Sequence, residues 1–178
     1  MWIWIAIAAV VVLLVVYLSS TAGRLDRLHH RVEASRQALE AQLADRAAMA
    51  LELAGSGLLD PASSLVLADA AAGSVEGESI GDWTQAESDL TRALAVVFPD
   101  PTHVEAMAGV PGGEELVGRL GAACHKVEMS RRFHGEAVRA CQLVRRHKLV
   151  RLFRLAGRAP WPLPADFDAD VPPGLIGR

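Results

Sequence analysis

Between Trp2 and Leu18 the chain runs for seventeen residues without a charge, a glycine or a proline. As a helix this segment would be about 26 Å long, at the lower end of what crosses a hydrocarbon layer. A run of this kind must lie in lipid, be removed as an export signal, or be buried in a core. Its flanks favour lipid. Only Met1 precedes it, whereas a secretory signal opens on a basic stub. Trp2 and Trp4 stand at one end and Tyr17 at the other, where aromatic rings settle at headgroup level. Arg24, Arg27 and Arg31 follow, and the positive-inside rule therefore puts the C-terminal side in the cytoplasm and the N-terminus outside. The rival is an exported soluble helical domain, cleaved in the small-residue stretch from Ser19 to Ala22. For that reading the basic charges fall on the wrong side of the apolar run.

The sequence predicts three parts: a transmembrane anchor over 1–22, a cytoplasmic helical bundle over 23–158, and a Pro-rich tail over 159–178. Ala, Leu, Arg and Glu dominate beyond the anchor, and β-branched and aromatic residues are scarce. That usage favours helix over sheet. The fold class is therefore all-α: a single transmembrane helix followed by an up-and-down antiparallel four-helix bundle.

Leu25, Leu28, Val32, Leu39, Leu43, Ala47 and Leu51 form one apolar stripe, which predicts a first soluble helix over 24–54, with Gly23 as a hinge after the anchor. Asp60-Pro61 reads as an N-cap followed by proline at the first helical position, opening a short helix to about Ala72. The Gly-, Ser- and Glu-rich stretch 73–81 reads as a mobile loop. A third helix is predicted from Asp82 to Phe98, with Trp83, Ala86, Leu90, Leu94 and Val97 on one face, stopped by Pro99-Asp100-Pro101. The stretch after it, ending in Pro111-Gly112-Gly113, reads as irregular. A long last helix is predicted over 114–156, with Gly135 as the place for a kink.

The net charge of −3 conceals two opposed regions. Residues 60–115 hold eleven acids and one base, Arg92, whereas residues 131–158 hold nine bases and one acid, Glu136. Such patches govern partners more than the total does. In the basic region Lys148, Arg151, Arg154 and Arg158 share one side of a helical wheel, and Leu149, Leu152, Phe153 and Ala156 crowd the other. With Arg145 and Arg146, these cations make a candidate contact for anionic lipid headgroups or for a protein partner. The competing account is an ordinary helix end whose cations complement the macrodipole and pair with the acidic region. Nucleic acid is a poorer partner, because only Phe153 is interleaved for stacking.

No feature names a reaction. Gly109 to Gly113 lacks the Lys-Ser/Thr of a phosphate loop, and no G-x-S-x-G elbow occurs. Helical di-iron sites need Glu-x-x-His, whereas this chain has the reverse order at His30-Glu33 and His125-Glu128. No metal or cofactor is therefore expected. Cys124 and Cys141, on one helix, would lie about 25 Å apart, too far to bridge. They read as small buried apolar residues of a chain in a reducing compartment.

Three segments resemble the LemA family of bacterial membrane proteins. Arg31-Val32-Glu33 with Gln42-Leu43-Ala44-Asp45-Arg46 is similar to that family's R-V-[DE] and Q-L-x-x-R signatures. Leu90-x-x-Ala93-Leu94 with Phe98-Pro99-Asp100 is similar to its third-helix pattern, and Arg131 with Glu136-Ala137-Val138, up to Phe153, to its last helix. His134-Gly135 and Cys141-Gln142 replace the two Tyr-Asn pairs usual there, and the customary Phe-Pro break is missing, which marks a divergent branch. The Ala-Arg-rich usage fits an actinobacterial one. The resemblance implies a four-helix bundle behind a single N-out span. It implies no catalytic residues, and a relative associated with magnetosome membranes suggests a membrane-organising role. The function expected is a membrane-anchored scaffold, not an enzyme, acting on an unidentified protein partner. An enzyme with a site dispersed across the bundle is the alternative.

Overall fold

In the computed structural model the regular elements are all helical among the described residues, which are 1–76, 80–153, 157 and 159–177. Six α-helices occur there: α1 (Trp2–Gly55), α2 (Pro61–Glu76), α3 (Ile80–Val97), α4 (Pro101–Ala108), α5 (Gly113–Arg145) and α6 (Lys148–Leu152), with a 3-10 turn at Pro173–Leu175. The chain divides into two compact units. The first is Met1–Arg36 with His134–Pro164, and the second is Gln37–Phe133 with Ala165–Arg178. Helices α1 and α5 contribute to both.

α1 runs unbroken through the predicted hinge at Gly23. The Ser20 and Thr21 hydroxyls both donate to the Tyr17 carbonyl, at 2.9 and 2.8 Å, so these residues satisfy their polar groups inside the helix. Beyond Gly55 the helix closes where Gly57 takes φ +77°, with Ser56 bonded back to the Leu53 carbonyl.

In the second unit, α2 begins as predicted: the Asp60 carboxylate accepts from the amides of Ala62 and Ser63 at 3.0 and 3.1 Å. It extends to Glu76, and α3 begins at Ile80. Most of the predicted loop at 73–81 is thus helical at its two ends, and 77–79 lie outside the described residues. α2 and α3 pack together. The stretch after Pro99 holds α4, which the sequence reading left irregular. Asp100 caps it, accepting from the amides of Thr102 and His103 at 2.8 and 3.2 Å, with Pro101 at the first helical position.

The core of this unit takes Ala47, Ala50 and Leu53 from α1, Leu67 and Ala71 from α2, and Leu90, Leu94 and Val97 from α3. Val104 of α4 joins them, with Leu120 and Cys124 of α5. The stripe on α1 passes from Leu39 and Leu43 to Ala50 and Leu53, and leaves Leu51 on the surface. Leu39, Leu43, Ala47 and Leu51 follow in steps of four, each of which advances about 40° around the helix, so Leu51 ends about 120° from Leu39 and off the buried face. The end of the tail docks here. Phe167, Ala169 and Leu175 are buried, and the Gly174 amide donates to the Phe98 carbonyl at 3.1 Å. A Cβ at Gly174 would stand 2.8 Å from the Asp100 carbonyl, so only glycine fits this approach.

In the first unit Leu25, Cys141 and Val150 form a small core with Leu28, Val32 and Val144 against it. The predicted last helix does not run through to Ala156. α5 ends at Arg145, His147 turns to an extended conformation, and α6 is a separate short helix. The break falls at a place with neither glycine nor proline. It turns Val150 inward onto Leu25 and Cys141, and it leaves Leu152 exposed.

Candidate functional site

The apolar run is a long exposed hydrophobic surface. Ile3 is 73% exposed, Leu13 69% and Val16 60%, and none of the most apolar stretch of α1 is covered by the rest of the chain. Among the described residues one helix is therefore long and apolar enough to cross a membrane, and its apolar stretch is not buried as a core helix.

The predicted cations fall into three groups. Arg145 is half-buried and engaged: its guanidinium donates to the carbonyls of Ala159 (2.9 Å) and Pro160 and lies over the Trp161 ring at 5.1 Å. It clamps the start of the tail, helped by Gln142, which donates to the Pro162 carbonyl at 2.9 Å. Arg146, Lys148 and Arg151 are exposed, beside the exposed apolar rings and chains of Leu152 and Phe153. Arg154 and Arg158 lie outside the described residues, as does Ala156.

Two histidines of the first unit make contacts of note. His134 is buried, with Nδ1 3.0 Å from the Ser35 hydroxyl. His29 lies 3.4 Å from an Arg145 nitrogen, and burial, followed by that guanidinium, holds its imidazole below the usual 6.5. A cavity of about 230 Å³ lies between α1 and the α5–α6 turn. Tyr17, Ser20, Thr21 and Arg24 line it from α1; Val144, His147, Leu149 and Val150 line it from the other side.

The second unit holds a polar cluster that the sequence reading did not single out. Arg46, Glu87 and Thr91 are all buried. Arg46 donates to the Glu87 carboxylate at 2.6 Å and to the Thr91 hydroxyl at 3.0 Å, and Ser74 donates to the other Glu87 oxygen at 2.5 Å. Thr91 also lies 2.8 Å from the Asp168 carbonyl, which ties the tail to the cluster. Pairing and hydrogen bonding on both sides are what allow two charges to be buried. Arg46 Nε and Gln42 Oε1 are buried without a partner among the described residues. The signal was present: Arg46 falls between Leu43 and Ala50 on the buried face of α1, and Glu87 precedes Leu90 and Leu94 on that of α3.

Cys124 and Cys141 are both free and buried on α5, and burial pushes the Cys124 thiol up to about 11. His30 lies near Asp26 and His125 near Glu128, on exposed helix faces. No group of three or more metal-ligating side chains occurs among the described residues. In comparisons with known proteins, no family model, curated sequence or solved structure matches the chain.

Proposed function

We propose that the chain is a single-pass cell-membrane protein of the LemA type that acts by binding, as a scaffold or membrane-organising protein, with its helical units in the cytoplasm. The observation that carries the reading is the exposed apolar run of α1, uncovered by the chain and followed at once by Arg24, Arg27 and Arg31. Exposed hydrophobic surface of that extent costs too much in water to be left without a covering phase. In this reading α1, α2, α3 and α5 supply the up-and-down four-helix bundle. Arg46 of the LemA-like Gln42-to-Arg46 segment has structural work there, through its bond to Glu87.

The exposed cations Arg146, Lys148 and Arg151 meet anionic headgroups, and Leu152 and Phe153 enter the interface beside them. Each cation near the surface contributes on the order of 1 kcal/mol. The rival of an exported domain requires cleavage close to Ala22, which here sits inside a continuous helix.

The test uses the full chain with Cys substituted at Arg146, the two native thiols being buried. A membrane-impermeant maleimide should leave this residue unlabelled in intact cells and label it in inverted vesicles. Labelling in intact cells would overturn the cytoplasmic assignment.

A further inference from the structure

The cavity beside Tyr17 has the composition of a headgroup site. We propose that it holds the phosphodiester headgroup of one anionic phospholipid, and so makes the first unit a specific lipid binder as well as a charged surface; this rests on the membrane reading above.

Three observations carry it. The cavity begins at Tyr17, the last aromatic residue of the exposed apolar run, at the level where headgroups meet a spanning helix. Its donors suit a phosphate: the Arg24 guanidinium has no hydrogen-bond or ion-pair partner among the described residues, and His147 brings a ring N–H to the facing side. Its other side chains suit the rest of a headgroup. Ser20 and Thr21 spend their protons on the Tyr17 carbonyl, so their oxygens are left to accept from a headgroup hydroxyl or amine. Val144, Leu149 and Val150 line the facing side with apolar surface. The volume of about 230 Å³ is several times that of a water molecule, so a phosphate with attached polar groups has room.

A free phosphate would use the same donors but would ignore the apolar run. The lipid is favoured because the cavity is continuous with that run. The basic residues nearby make charge alone the competing explanation, and the control variants are chosen against it. Arg27 and Arg31 are exposed cations on the same helix as Arg24, and neither lines the cavity.

The experiment places the full chain in nanodiscs of phosphatidylcholine with a minor share of phosphatidylglycerol. Phosphatidylglycerol retained on extraction is counted by native mass spectrometry. Arg24→Gln, Arg27→Gln and Arg31→Gln remove one charge each. Losing one charge-assisted bond corresponds to a change of about tenfold. Arg24→Gln should therefore cut retention by about that factor, with Arg24→Lys recovering part of it, while the other two change it less than about twofold. Equal losses in all three would overturn the site and leave surface charge as the cause, with the membrane reading intact. Failure of the chain to enter nanodiscs would overturn both. Circular dichroism of Arg24→Gln must match the parent; if helicity falls, Thr21→Val, which removes an accepting oxygen without a charge, takes its place and should also lower retention. In detergent, inorganic phosphate that binds as tightly as the lipid, with the same dependence on Arg24, would overturn the lipid assignment.

Discussion

Arg46 illustrates how a single buried cation constrains its surroundings. Its guanidinium is matched by Glu87, Thr91 and, through Glu87, Ser74. Removing one partner strands the other charge in a poorly solvating interior. Arg46→Ala should cost about 3–5 kcal/mol, read from chemical unfolding, whereas a double Arg46→Met, Glu87→Leu variant should lose much less. A double variant as unstable as the single would contradict this view of the pair. Cysteine behaves more simply: with burial raising both thiols, neither should react with a thiol reagent near neutral pH until the protein unfolds. The cysteines were legible as buried apolar residues from their place in the α5 stripe. Arg46 was not, because a charged residue on an apolar face is usually assigned to solvent, and its partner Glu87 lies forty-one residues away.

Among the elements, α2 and α4 begin with the same device, and only one of them was read from the sequence. Asp60-Pro61 preceded a visibly apolar segment, whereas Asp100-Pro101 preceded eight residues with only Val104 buried, too short to show a period. The cap, not the periodicity, was the available signal. Hydrogen bonds from Ser63 and Thr102, foremost among others, hold the Asp60 and Asp100 carboxyls below the usual 3.8. A carboxyl lowered in the folded state lends stability that is complete above 3.8 and is lost as pH falls through the folded values. Asp100→Asn keeps a capping oxygen and removes that charge. Its melting temperature should fall less than the parent's on acidification, while Asp100→Ala should melt lower even at neutral pH. The tail gives a further check on element docking. Gly174→Ala forces a methyl against two backbone carbonyls and should cost on the order of 1–3 kcal/mol, seen as faster proteolysis after Phe167. The extended, proline-rich character of this tail was legible. Its docking through Arg145, Thr91 and Gly174 was not, because those contacts join residues distant in sequence. The break after Arg145 was equally hidden, since no glycine or proline marks it.

At the scale of the whole molecule, one helix has two environments. From Leu25 onward α1 alternates buried and exposed residues, as an amphipathic helix does; before Leu18 nearly every side chain is exposed and apolar. The helical class and the apolar run were both legible, because composition and an uninterrupted hydrophobic segment are local signals. The division into two units was not, because it depends on which distant segments of α1, α5 and the tail come together. Opposed charge adds a testable consequence: raising salt should weaken any association of Arg146, Lys148 and Arg151 with anionic vesicles while leaving the apolar helix in place. The central claim, that α1 anchors the chain in a bilayer, is tested most directly by washing membranes that carry the full chain in alkaline carbonate. Retention in the pellet, with release of a chain lacking residues 2–18, is the predicted result; release of the full chain into the supernatant would contradict it.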